Sequence, residues 1–111
     1  MKRTVFIIND DQMGRGDPAL GVKILTTCLR KLGSYPGLDA IILYNAGVKL
    51  AVRGSPVETE LRLLADNGVD VLPCGTCVEH YALADRLITE KPGNMVEILD
   101  MIEKADKVVT L

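Results

Sequence analysis

The sequence predicts one α/β domain in three layers, with helices on both faces of a mostly parallel five-stranded sheet. Short apolar runs rich in β-branched residues alternate along the 111 residues with segments whose apolar positions recur at helical spacing. Hydrophobic residues make up 48% of the chain and charged residues 25%, which is typical of a globular domain. Because no linker or internal repeat divides the chain, residues 1–111 are expected to form a single domain.

The apolar runs place the predicted strands. The run 4–8 is rich in β-branched residues, and the run 40–44 lacks the polar–apolar alternation of a half-exposed strand. The latter is therefore expected to be buried on both faces. Three shorter runs complete the predicted sheet, at 69–72, 87–89 and 107–111, and the run 87–89 has the weakest pattern.

Two helices are predicted before the third strand, each with a signal at both ends. Asp17-Pro18 supplies an N-cap and a first helical proline, and Gly33 closes that helix. Ser55-Pro56-Val57-Glu58 is a capping box with proline at the first helical position, so it predicts the start of the second helix. Asn67-Gly68 predicts its end.

Two further helices are predicted in the second half of the chain. Thr76-Cys77-Val78-Glu79 reads as a capping box, which predicts a helix beginning at Cys77, directly after the third strand. Asn94 and Glu97 have the same spacing and are expected to cap the last helix. The alternation of these elements predicts parallel strands joined by crossover helices.

Cys74 and Cys77 form a Cys-x-x-Cys pair between the third strand and this third helix. Ligands and reacting groups in open α/β sheets gather at the carboxyl ends of the strands. A helix N-terminus there stabilises a thiolate and lowers its pKa from the usual value of about 8.5. The pair is therefore predicted to be reactive. The competing interpretation is two small buried residues without reactivity.

Four other residues are candidates for contacting a substrate at the same edge of the sheet. Asn45 and Lys49 follow the second strand, and Gly14 belongs to a polar loop after the first strand that is expected to form a rim over the site. His80 is the one histidine of the chain and the one available to pair with a thiolate. The simpler interpretations are a solvated lysine at position 49 and a half-exposed helical histidine.

No metal or cofactor is predicted. Cys74, Cys77 and His80 would give zinc three ligands where a structural site needs four, and Cys28 lies on the core stripe of a distant helix. Cys28 is therefore predicted to pack in the core. The glycines of the loop after the first strand do not continue into a dinucleotide-binding motif, and its aspartates would repel a pyrophosphate.

Charge and hydropathy exclude several partners. The formal net charge is −2 and the basic residues are scattered, which argues against nucleic acid and anionic membranes. No apolar run approaches the roughly 20 residues that span a bilayer, and the first run is too short for a signal-peptide core. Three cysteines, an odd number, in a chain without an export signal predict a reducing, cytoplasmic location.

Four segments, in the same order, resemble the C-terminal domain of the YedF-type proteins, within the DsrE/DsrF-like group of sulfur-handling proteins. They are Met13-Gly14-Arg15-Gly16-Asp17, Tyr44-Asn45-Ala46-Gly47-Val48-Lys49-Leu50, Cys74-Gly75-Thr76-Cys77 and Gly93-Asn94-Met95. The likeness continues to Lys107-Val108-Val109. It implies a DsrE-like fold, a role in sulfur or selenium metabolism, and a homo-oligomer.

Two departures qualify what the resemblance implies. YedF-type proteins carry a first domain that resembles TusA, which these 111 residues do not include. DsrE-like proteins more widely rely on one cysteine after the third strand. Cys74 matches that cysteine, and Cys77 is an addition of the YedF type.

The leading hypothesis is a sulfur or selenium carrier, or a sulfurtransferase-like protein, that works between sulfur-donor and sulfur-acceptor proteins. The Cys74 thiolate takes up sulfane sulfur as a persulfide, and Cys77 is the resolving thiol. Cys74 is given the first role because it should lie in an open loop, whereas Cys77 should be less exposed at the helix start. The alternatives are a thiol-disulfide oxidoreductase, which the order of elements opposes, and a non-enzymatic, redox-sensitive partner-binding module.

Overall fold

The computed structural model describes residues 3–111, and parallel strands alternate there with helices. In chain order the elements are β1 (Thr4–Ile8), α1 (Pro18–Leu32), β2 (Leu38–Leu43), α2 (Glu58–Asp66), β3 (Asp70–Pro73), α3 (Gly75–His80), α4 (Met95–Lys104) and β4 (Lys107–Thr110). Two 3₁₀ helices complete the set: Asn45–Ala51 follows β2, and Ala84–Arg86 follows α3.

Within residues 3–111 the sheet has four strands, all parallel, in the order β3-β2-β1-β4. The chain therefore moves in one direction from β1 to β3 and returns to place β4 on the other side of β1. β1 is buried at Val5, Ile7 and Ile8, and β2 is buried from Ala40 to Leu43, which agrees with the apolar runs that predicted these strands.

Helices cover both faces of this sheet, as predicted. Phe6 of β1 is in register with Ile41 of β2, so the two side chains point to the same face of the sheet. A cavity is lined by both Phe6 and Cys28 of α1, which shows that α1 lies over this face. Leu72 of β3 pairs with Ile42, the next residue along β2, so its side chain points to the opposite face. A β-carbon added to Gly93, just before α4, would collide with the Leu72 side chain. The chain therefore enters α4 over the opposite face, which gives the three layers.

The predicted fifth strand at 87–89 is wrong. Leu87 forms a single antiparallel bridge with Val52, and the Ile88 N–H donates to the Ala51 carbonyl. These bonds tie the segment to the end of the first 3₁₀ helix instead of to a strand of the sheet. Because its backbone groups find their hydrogen-bond partners there, this segment does not pair with a strand of the sheet.

β1 spans the predicted 4–8, whereas the boundaries of the other three strands shift by one or two residues. β2 spans 38–43 rather than 40–44, because Thr4 pairs with Leu38 across a register irregularity and the chain turns into the 3₁₀ helix after Leu43. β3 spans 70–73 rather than 69–72, and β4 ends one residue before the predicted terminus.

The caps of α1 and α4 are confirmed, whereas the predicted start of α2 is wrong. The Asp17 carboxylate accepts the Leu20 N–H at 2.8 Å, and Asn94 forms the full capping box with its partner Glu97. α2 begins at Glu58 instead of Pro56. Its expected cap residue Ser55 donates to the Leu50 carbonyl and accepts the N–H of Val57, so it holds a turn before the helix.

Candidate functional site

The carboxyl ends of β1, β2 and β3 meet at one edge of the sheet, because the strands are parallel. Gly47 brings the first 3₁₀ helix against the end of β1, and a β-carbon there would overlap the Ile8 carbonyl. Glycine is required at this close approach. The 3₁₀ helix is thereby placed between the end of β1 and helix α3.

Cys74 directly follows β3 and is the N-cap of α3. Its N–H donates to the Leu43 carbonyl at 2.8 Å, and it forms a parallel bridge with Gly93. The Gly75 N–H donates to the Gly93 carbonyl at 2.7 Å, and this hydrogen bond holds the segment before α4 over Cys74. Cys74 is therefore only 4% exposed.

Two expectations about the cysteine pair are therefore wrong. The helix begins at Gly75 rather than at Cys77, because Cys74, not Thr76, is its N-cap. Cys74 does not lie in an open loop, and Cys77 is the more exposed of the two, since it is half-buried. The segment at Gly93, far along the sequence, causes the burial of Cys74.

Cys77 lies in the first turn of α3, and its sulfur receives a main-chain hydrogen bond. The Asn45 N–H donates to the Cys77 Sγ at 3.0 Å. Asn45 has a φ of 52°, a left-handed conformation that few residues other than glycine adopt and that asparagine tolerates better than most. An N–H donor at this distance favours a negative charge on the sulfur.

Burial raises the pKa of the Cys77 thiol, and the neighbouring Cys74 sulfur raises it further. The Asn45 N–H acts in the opposite direction but does not outweigh burial. The expectation that the helix start lowers the pKa of this thiol is therefore wrong, and α3 has only six residues whose dipoles add up. Cys77 keeps its proton to a higher pH than an ordinary cysteine.

Tyr81, immediately after α3, is a site residue that the sequence interpretation missed. Its hydroxyl donates to the Asn45 Oδ1 at 3.1 Å, and the Lys49 ammonium lies 4.6 Å from the centre of its ring. Tyr81 follows Cys77 by four residues, which is the spacing of neighbours on one helix face. That spacing is the signal that could have identified it.

The structure places the four predicted substrate-contact residues at different distances from the cysteines. Asn45 contacts Cys77 directly, whereas Lys49 is connected to it through Tyr81. The exposed His80 packs its ring edge-on against the Tyr81 ring, with the centroids 4.9 Å apart. Gly14 is on the far side of Asn45, and both line a polar cavity of about 400 Å³ together with Asp10 and Arg15.

Cys28 packs against the core from α1, as predicted, where it is half-buried and burial raises the pKa of its thiol. Among residues 3–111, no three His, Cys, Asp or Glu side chains are arranged to hold a metal ion. In the same range, no helix has both the length and the apolar character needed to cross a membrane.

The described residues form a parallel α/β domain with two free cysteines at the carboxyl edge of its sheet. The sequence profile of the DsrE/DsrF-like family matches residues 2–111, so the chain belongs to that family. No match was found among curated proteins.

Two solved structures show the same fold over the full length of both chains. The ychN protein from E. coli is 22% identical with a TM-score of 0.75. MTH1491 from Methanobacterium thermoautotrophicum, described as a protein of unknown function, is 19% identical with a TM-score of 0.72. At these sequence identities the similarity shows a shared fold and nothing further.

Proposed function

We propose that this chain, a single DsrE-like domain of the YedF type, is a sulfur or selenium carrier or a sulfurtransferase-like protein. The observation that carries the proposal is the dithiol itself: Cys74 and Cys77 are free, Cys74 lies close enough to raise the pKa of Cys77, and both lie at the carboxyl edge of the sheet, where ligands gather in such folds. The association of the DsrE family with sulfur relay supports it.

The transfer needs only thiol chemistry. The Cys74 thiolate attacks the outer sulfur of a donor persulfide, the donor S–S bond breaks, and the donor leaves as a thiolate while Cys74 becomes a persulfide. An acceptor thiolate then attacks the outer sulfur and regenerates the Cys74 thiolate. Alternatively, the Cys77 thiolate attacks the inner sulfur and expels hydrosulfide. This second route leaves a Cys74–Cys77 disulfide, which a reducing dithiol must reopen.

The raised pKa of Cys77 supports the assignment of Cys74 as the nucleophile. Cys77 keeps its proton to a higher pH than an ordinary cysteine, which disfavours it as the attacking thiolate. Access does not support this assignment, because Cys74 is 4% exposed and Cys77 is the more exposed of the two.

The surroundings of the pair support further parts of the proposal. We assign the polar cavity that Gly14 and Asn45 share to substrate binding, together with Lys49 and His80, which both contact the Tyr81 ring. The partners are donor and acceptor proteins in the cytoplasm. Exposed apolar side chains on α4 and β4 support a homo-oligomer, because a small monomer rarely leaves such surface open; they are Met95, Val96, Leu99 and Val108.

Intact mass measurement after exposure of the reduced protein to inorganic polysulfide tests the proposal. A carrier gains the mass of one sulfur atom, and a second thiol compound added afterwards removes it. The adjacency of the two thiols also favours a second candidate, a thiol-disulfide oxidoreductase. That protein would lose two hydrogens and gain no sulfur. Because resolution by Cys77 would give the same mass loss in a wild-type carrier, Cys77→Ser separates the two: a carrier still gains one sulfur there, and an oxidoreductase gains none. An unchanged mass of the wild type would leave only a binding module and would refute both reactions.

A further inference from the structure

Three contacts connect the first 3₁₀ helix to the Cys77 sulfur through Tyr81. The Lys49 ammonium lies over the Tyr81 ring at 4.6 Å, within the range of a cation–π contact. The Tyr81 hydroxyl donates to the Asn45 Oδ1 at 3.1 Å, and the Asn45 N–H donates to the Cys77 Sγ at 3.0 Å. Each contact orients the group that makes the next one.

Asn45, in the middle of this series of contacts, has an unfavourable backbone conformation with a positive φ. In residues 3–111, only Asn45 and Ala82 among the non-glycine residues have a positive φ. A residue with a β-carbon stays in this conformation only when its surroundings hold it there. The main chain on either side is fixed by the Tyr44 N–H on the Ile8 carbonyl and the Gly47 N–H on the Tyr44 carbonyl, and the hydrogen bond from Tyr81 anchors the exposed Asn45 side chain.

We propose that Tyr81 is a positioning residue: its hydroxyl holds Asn45 in the left-handed conformation, and the Asn45 N–H thereby stabilises an anionic Cys77 sulfur. This regulates the step in which Cys77 acts as the resolving thiol, and to that extent it rests on the proposed function. The effect on the ionisation of Cys77 does not depend on whether the protein carries sulfur.

Several titratable or charged groups surround Cys77 and must be separated from this effect. Cys74 approaches from the end of β3 and raises the pKa of Cys77. Lys49 and His80 both contact the Tyr81 ring, from the 3₁₀ helix and from α3. Asp10 lines the cavity on the other side of Asn45. A variant that removes only the Tyr81 hydroxyl leaves all of these groups in place.

The test is a spectrophotometric titration of the Cys77 thiolate in the Cys28→Ser/Cys74→Ser background, where Cys77 is the one remaining cysteine. Tyr81→Phe keeps the ring and its contact with Lys49. We expect it to raise the pKa of Cys77 by about one unit, a roughly tenfold loss of thiolate at a fixed pH below the pKa. Tyr44→Phe, which removes the hydroxyl next to Asn45 in the chain, is the matched control and should leave the titration unchanged.

Two substitutions at Asn45 show whether the hydroxyl acts through this residue. Asn45→Ala loses both the anchor and the tolerance for a positive φ, so it should reproduce the effect of Tyr81→Phe. Asn45→Gly adopts the same backbone freely. Tyr81→Phe added to Asn45→Gly should therefore change the titration by less than a third as much as it does alone.

An unchanged titration in Tyr81→Phe would overturn the proposal, and so would an equal shift in the Asn45→Gly background. Sulfur loading, measured separately by mass in the protein with all its cysteines, reports on the proposed function instead. If the protein fails to load sulfur while the titration shifts as described, the carrier function is wrong and the role of Tyr81 stands.

Discussion

Replacement of Gly47 by alanine tests how the site is assembled. The added β-carbon would overlap the Ile8 carbonyl oxygen and approach the Asp10 N–H. Both are backbone atoms next to the central strand β1, so no flexible side chain can move aside. Overpacking of this kind costs about 1–3 kcal/mol, and we expect the upper half of that range because rigid backbone has to shift.

Urea unfolding measures this cost directly. With a denaturant dependence of about 1–3 kcal/mol per molar for a small domain, the midpoint of Gly47→Ala should fall by about 1 M. Gly33→Ala is the matched control, because its backbone is right-handed and the nearest atom to the new β-carbon, the Arg30 carbonyl oxygen, is 3.6 Å away. That variant should be neutral or slightly more stable. A Gly47→Ala midpoint equal to that of Gly33→Ala would refute the close approach.

Three more predictions concern a cap, a carboxylate and a surface. Asp17→Ala should lower the free energy of unfolding by about 1 kcal/mol in urea, because the N-cap bond of α1 is lost. The Gly54 N–H, followed by the hydrogen bond and charge of Arg62, lowers the pKa of Glu58. The ionised form therefore stabilises the fold above the unfolded-state pKa, and this contribution is lost as the pH falls below about 4.5. The urea midpoints of the wild type and Glu58→Gln should accordingly differ at pH 7 and approach each other as the pH falls through the lowered pKa of Glu58. Leu99→Glu should convert a homo-oligomer to a monomer in light scattering, and a monomeric wild type at high micromolar concentration would contradict the interface proposed on α4.

Local patterns in the sequence were sufficient for most of the fold. The caps Asp17 and Asn94 act through residues three positions away, so their partners can be read from the chain itself. The buried strands β1 and β2 follow from their continuous apolar runs. The strand predicted at the weak run 87–89 is wrong because the hydrogen-bond partner of this segment lies at residue 51, and the sequence carries no signal for that pairing.

The site was predictable in position but not in detail. The rule that chemistry gathers at the carboxyl ends of parallel strands correctly placed Cys74, Cys77 and Asn45 together. The exposure of the two cysteines came out reversed, because the burial of Cys74 depends on Gly93, which is nineteen residues further along the chain. The contact of Tyr81 with Asn45 likewise joins two segments that are 36 residues apart.

The division of labour between the two cysteines is the central claim, and single-cysteine replacement tests it. Reduced Cys77→Ser and Cys74→Ser are each exposed to inorganic polysulfide, desalted and weighed intact, with Cys28→Ser as the control that should load as the wild type does. The account predicts that Cys77→Ser gains one sulfur and retains it, because the resolving thiol is gone, whereas Cys74→Ser gains none. Loading of Cys74→Ser together with failure of Cys77→Ser would contradict the account and make the more exposed Cys77 the sulfur-bearing residue.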